Sequence, residues 1–348
     1  MKKLSYIPIV VLFTFLTTIV LKGQINYGLI PQSCQVDWTN AGLLPNTPTT
    51  AKHLFNVVNY GAVPNDGQDD YSGINSAIEA AKNTGSFSII YFPPGTYKIC
   101  STIDLSRTSA NENDQGYSNI VIQGAGSDKT FLEFTVGKDN SCFYIHGRSL
   151  KNTRINLTAN LPKDSKDIYG SFNNYYTGNW IQLCEMNNPY ADPGNVSQIT
   201  QLESVDGNSA VMKDKASKGY KTQYTLWVQK ILPIMNVGIE NLTIKRMDTE
   251  KSTLGNWNSA NIKFNYAVNC WVKGVESDNT CRIHISVNHS SHLEVSGCYI
   301  HHARSYGAFQ WGLPPSYEGY GYGIILGCLL YTSDAADELD GVDLGGRR

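Results

Sequence analysis

The stretch from Ala260 to Ile300 matches itself when slid by 23 residues, so that Ile262, Phe264, Asn265, Val272 and Gly274 fall on Ile285, Val287, Asn288, Val295 and Gly297. Within each copy apolar residues alternate with polar ones, as in Ile283, Ile285 and Val287 set among Arg282, His284, Ser286 and Asn288. Each copy therefore holds strands with one inward face. A short repeat built of strands must stack, because one strand pair alone cannot bury its apolar row, whereas coils spaced about 4.8 Å apart bury a continuous one. The expected fold is a parallel β-helix. A β-sandwich would need hairpin turns between the strands; the links read Lys273-Gly274 and Ser296-Gly297 instead, where glycine can bend a coil at a corner.

A chain of 348 residues, 41% hydrophobic, can bury a large core as one elongated domain or two. Its formal charge of −2 provides no basic footprint, which argues against nucleic acid as a partner. Lys2 and Lys3 precede an apolar run from Tyr6 to Leu21, a pattern expected of a secretory signal peptide over residues 1–23. The run is short for a membrane span, which needs about 20 residues. The expectation is a secreted protein, periplasmic or extracellular, with no stable span after signal removal. In that setting the eight cysteines, none in a CxxC pair, argue against zinc and permit disulfides, and no metal ligand is expected anywhere in the chain.

From Phe55 the chain reads Phe-Asn-Val-Val-Asn-Tyr-Gly-Ala, then Asp66-Gly-Gln-Asp-Asp70, then a helical run with Ile74, Ala77, Ile78 and Ala81, then Ile89-Ile-Tyr-Phe-Pro-Pro-Gly-Thr-Tyr97. Asp69 or Asp70 suits a helix N-cap and Asn83 to Gly85 a stop. A helix here would cap the first coil, which has nothing beneath it. The same residues could suggest catalysis or calcium at Asp66, Asp69 and Asp70, but a tight turn followed by a cap explains them. No metal is assigned there.

These motifs resemble the N-terminal signature of the pectate lyase superfamily, the group with rhamnogalacturonase and epimerase-like members. The likeness continues in Ile120 to Gly126, Thr130 to Phe134 and Val237 to Ile244. It implies an all-β, right-handed parallel β-helix of the pectin lyase-like kind over 55–327. It does not specify a reaction, because the same opening introduces hydrolases, lyases and proteins without known activity.

Residues 148–232 break the rhythm. Asp206-Gly207 between alternating segments signals a hairpin, so an antiparallel excursion is expected between early coils. Beyond it, Leu242, Val272 and Val295 are read as one inward row, with steps of 30 and then 23 residues, so about seven residues bulge between Met247 and Ser259. That loop carries Trp257, and a second one, from Arg304 to Gly321, carries Trp311 among other aromatics. Residues 328–348 neither repeat nor alternate and read as a non-native tail, with the C-terminal coils truncated.

Positions 23 apart lie on neighbouring coils, which sets Asp278 beside His301 and Asn279 beside His302, with Arg282 and Arg304 nearby. A carboxylate, histidines and arginines in one place can hold an acidic sugar and move a proton. The expected catalytic set is Asp278, His301 and Arg304, with Arg282, His284, His302 and Trp311 binding substrate. The superfamily resemblance implies a carbohydrate-active protein, degrading an acidic, pectin-like polysaccharide by hydrolysis or β-elimination. A non-catalytic glycan-binding or surface module on the same fold is the alternative. The cofactor is left unknown, with calcium implied if the chain is a lyase; Glu276 with Asp278 supplies only part of a calcium lyase's acidic set, and the polygalacturonase motifs G-H-G and R-I-K are absent.

Overall fold

The computed structural model describes residue 42 and residues 53–188, 196–250, 258–304 and 321–327, all within one compact unit. The signal segment, Trp257, Trp311 and the 328–348 tail lie outside the described residues. Among the described residues, no helix is long and apolar enough to cross a membrane.

Three parallel sheets run side by side, and the chain visits them in rotation. The first is built from His53–Asn56, Ser88–Phe92, Ile120–Gly124, Gly238–Glu240, Trp271–Lys273 and Glu294–Ser296. The second holds Gly95–Ile99, Thr130–Phe134, Thr243–Arg246, Glu276–Thr280 and Tyr299–Ala303. Ile103–Ser106, Phe143–His146, Ala260–Asn265, Ile283–Asn288 and Tyr322–Leu326 form the third. The 23-residue repeat is one coil: Ile262 pairs with Ile285, Phe264 with Val287 and Val272 with Val295, all in parallel. No hairpin joins these strands.

Apolar residues at alternate positions stack into rows inside the coil. Ile90, Ile122, Ile239 and Val272 align across the first sheet, each with no exposed surface. The row expected to run through Leu242 therefore runs through Ile239, and Leu242 belongs to the following corner. The step from Ile239 to Val272 is 33 residues, not 30, so the loop before Ala260 is longer than the repeat alone suggested. Leu242 and Val272 are both apolar and both buried, and only the hydrogen-bonded register separates the two alignments.

Corners recur coil by coil because the same left-handed backbone recurs. Asn236, Asn269 and His292 have φ of 57°, 54° and 56°, and Asn241, Gly274 and Gly297 have 54°, 60° and 62°. Glycine and asparagine tolerate this region, which explains the two glycine links. Asn236 Nδ2 also donates to Asn119 Oδ1 at 2.8 Å, joining one corner to the next.

The helix Tyr71–Lys82 buries Ile74, Ala77, Ile78 and Ala81 in the same core as the coil rows. Its start differs from a simple cap. Asp70 occupies the N-cap position but makes no capping bond; its buried carboxylate accepts from the Val63 N–H at 2.6 Å and the Lys98 N–H at 3.0 Å. Asp69 takes the N–H of Tyr71 at 3.1 Å and of Cys100 at 3.0 Å. The aspartates thus tie the helix to the first coil.

Between the second and third coils, Arg148–Asn156, Leu226–Leu232, Trp180–Glu185, Val196–Asp206, Ser209–Met212 and Asp167–Tyr169 form an antiparallel sheet, in that order. Asp206 pairs with Ser209 across the hairpin. This sheet has its own core, including Ile181, Leu183, Leu202, Met212 and Val228.

Candidate functional site

Parallel pairing sets side chains of like position beside one another along the outside of the coil. On the second sheet Lys98 pairs with Glu133, Glu133 with Lys245, Lys245 with Asp278 and Asp278 with His301. The inward neighbours Tyr97, Leu132 and Ile244 are fully buried, so this row points outward. Charge alternates along it, which suits cross-strand pairing.

At its far end the row becomes a compact cluster. His301 Nε2 lies 2.9 Å from Glu276 Oε1, and His301 Nδ1 lies 3.4 Å from Asp278 Oδ1. His302 Nδ1 lies 2.9 Å from the same Asp278 oxygen and 2.8 Å from His301 Nδ1. Adjacent strand residues normally face opposite ways; His302, at φ 59°, adopts the left-handed conformation that brings its ring back to its neighbour's side. Tyr299 stacks on His301 with ring centres 4.3 Å apart. The backbone N–H of Arg304 donates to Thr280 at 2.8 Å, and its Nε is buried without a hydrogen-bond partner among the described residues.

Two expected substrate ligands do not lie on this face. His284 is 2% exposed and its Nδ1 sits 2.8 Å from the Ser277 hydroxyl, which also accepts from Asn261 Nδ2 at 2.9 Å. Burial pushes the His284 imidazole down to about 4, with His301 adding to the effect, so it is a neutral interior group. Arg282 is 5% exposed. His284 lies next to the inward Ser277 and Arg282 is buried with its backbone N–H on the Thr280 hydroxyl at 3.3 Å, so neither side chain is exposed on the face of Asp278 and His301 in this structure. Trp311 lies outside the described residues.

The structure also assembles a group that the repeat did not reveal. On the third sheet Lys263 pairs with Tyr144 and Asn265 with His146. Tyr144 stacks on His146 at 5.2 Å, Lys263 Nζ sits 5.6 Å from the Tyr144 ring centre, and Tyr266 stacks on His289 at 4.7 Å. Burial lowers the His146 and Lys263 pKa values and brings His289 to about 4. The alternation in Tyr144-Ile-His146 was a signal, but its partner Lys263 lies beyond the inserted sheet. A cleft of about 410 Å³ opens where that sheet meets the coil, lined by Arg107, Glu112, Trp180, Lys230 and Asn236.

Calcium does not fit the cluster at His301. It takes about six to eight oxygen ligands, whereas this donor set is one carboxylate oxygen and two imidazole nitrogens. The Asp66 to Asp70 carboxylates are engaged by backbone N–H groups.

A coil of three parallel sheets with a polar outer row defines a parallel β-helix protein. The chain belongs to the rhamnogalacturonase A/epimerase, pectate lyase-like family, whose model matches residues 54–276. It is 28% identical over 135 residues to mannuronan C5-epimerase AlgE5 of Azotobacter vinelandii, covering 36% of this chain and 13% of that protein. To AlgE6 of the same organism it is 27% identical over 131 residues, 36% of this chain and 14% of the relative. The chain thus spans a small part of the curated relatives' length. Among solved structures it resembles the tailspike gp61 of Pseudomonas phage phi297, with a TM-score of 0.54 and 12% identity over 78% of this chain and 49% of that one, a likeness of fold.

Proposed function

We propose that this chain is an exported, right-handed β-helix that degrades an acidic polysaccharide by glycoside hydrolysis or β-elimination. The observation that carries this reading is the outward row Lys98, Glu133, Lys245, Asp278 and His301, in register over five strands. At about 4.8 Å per strand it extends for roughly 19 Å, the reach of several sugar units laid across the strands. Lys98 and Lys245 offer cations to uronate carboxylates. Asp278 and His301 form the proton-transfer pair. Membership of the pectate lyase-like family and likeness to epimerases named for mannuronan support a polyuronate ligand. Right-handed coiling follows from the general preference of parallel crossovers.

A second reading, a glycan-binding module without catalysis, is favoured by one observation: Glu276 and Asp278 already have imidazole partners, each at 2.9 Å. Incubation with a panel of polyuronates decides between them. New reducing ends are expected, accompanied by ultraviolet absorbance from an unsaturated product if the reaction is elimination. Binding without chain cleavage would favour the module. A change of uronate configuration in proton NMR without cleavage would keep the ligand class and overturn degradation. Lys245→Ala is expected to weaken polysaccharide binding about tenfold, read by affinity electrophoresis.

A further inference from the structure

We propose that Asp278, His301 and His302 form a binding site for a divalent transition-metal ion of the zinc type. A bound ion would occupy the lone pairs that the proton-transfer pair of the reading above needs, so the site is an alternative use of Asp278 and His301 that a binding module could carry as well as an enzyme.

The argument starts with hydrogen count. Glu276 Oε1 sits 2.9 Å from His301 Nε2, and a carboxylate can only accept there, so Nε2 carries the hydrogen. In the neutral ring Nδ1 is then a bare lone pair. It faces Asp278 Oδ1 at 3.4 Å and His302 Nδ1 at 2.8 Å, and His302 Nδ1 faces the same oxygen at 2.9 Å. Three acceptor-capable atoms converge, and with neutral rings at most one hydrogen, on His302, lies among them. That hydrogen can serve only one of the two contacts of His302 at a time, whereas a cation at the centre would serve all three atoms together. Glu276 holds the place of the carboxylate that, in histidine–metal sites, fixes the tautomer from behind.

Chemistry and geometry select the ion. Imidazole nitrogens with one carboxylate suit zinc, copper or nickel rather than calcium. Bonds of about 2.0 to 2.2 Å in a tetrahedron place donors about 3.3 Å apart; the three observed separations are 2.8, 2.9 and 3.4 Å. The His302 side chain, 75% exposed, can open the shorter two without disturbing the coil. Asp278 and His301 are fixed more firmly, being 23% and 17% exposed and paired across adjacent strands. Three protein ligands leave a fourth position for an outside donor.

The test is titration of the metal-stripped full chain with Zn²⁺ by calorimetry, with Co²⁺ absorption as a report on geometry. One equivalent is expected to bind, with a tetrahedral-type Co²⁺ spectrum and no competition from excess Ca²⁺. Asp278→Asn and His302→Ala should each weaken binding at least tenfold, and Glu276→Gln about 10- to 100-fold through the tautomer alone. His302→Ala alters an exposed side chain, so it keeps the test valid if other variants misfold. Cys100→Ser, at an exposed thiol, should leave binding unchanged. Affinity that follows Cys100, equal binding by wild type and a His301→Ala/His302→Ala double variant, or displacement by equimolar Ca²⁺ would each overturn the site.

Discussion

Arg246 has no exposed surface, yet every part of its guanidinium region is engaged: Nε by Asp248 at 2.7 Å, Nη2 by the carbonyls of Gly137 and Asn140 at 2.6 and 2.9 Å. It fastens the loop after Phe134 to the third coil. Removing a buried charge from such a set leaves Asp248 without its cation, and Arg246→Met is expected to cost about 3–5 kcal/mol in urea denaturation. Two histidines set an acid limit. His284 and His289 are held near 4 by burial, against 6.5 for the free ring. Their contribution is complete above about pH 6.5 and is lost as pH falls from there toward 4, because the unfolded chain binds the protons first. Each accounts for an effect on the order of 3 kcal/mol across that window. His289→Gln should flatten the acid limb of stability measured by denaturant midpoint against pH; an unchanged limb would contradict the assignment. Neither burial was readable beforehand. His284 alternates with Ile283 and Ile285 as an outward residue should, and only the left-handed corner at Asn279, with φ 62°, folds the adjoining strands so that it meets Ser277.

The helix Tyr71–Lys82 and the antiparallel sheet solve different problems. The helix closes the open end of the coil with Ile74, Ala77, Ile78 and Ala81, a face legible from the spacing of those residues alone. Ile78→Ala should cost about 2–5 kcal/mol, the range for a buried large-to-small change, read from thermal unfolding. The antiparallel sheet is legible at its hairpin, where Asp206-Gly207 signals the turn, but its pairing order is not: Trp180–Glu185 lies between Val196–Asp206 and Leu226–Leu232 because those strands complete a separate apolar core. Leu183 is central to that core. Leu183→Ala should therefore speed hydrogen exchange in residues 148–232 well before it affects the coil; uniform loss of protection in both would show that the two cores unfold as one.

Across the whole molecule, one rule generates most of the architecture: each turn of chain lies on the last, and side chains of like position form rows. The sequence by itself determined the coil, because a 23-residue self-match of alternating strands has no other way to bury its apolar positions, and it determined that Asp278 and His301 are neighbours, because one period separates them. It also marked the start of the coil, where the aspartate turn, the helix and the Pro-Pro-Gly strand follow in order. Tertiary structure alone decided the register where the period fails. The 33-residue step from Ile239 to Val272 and the sheet inserted after His146 interrupt the count, and no local pattern says which apolar residue resumes the row. For that reason Lys245 joined Asp278, and Lys263 joined Tyr144, only in three dimensions. The turning of His302 onto Asp278 was likewise undecidable from alternation, since alternation places neighbours on opposite faces and a single left-handed residue reverses it.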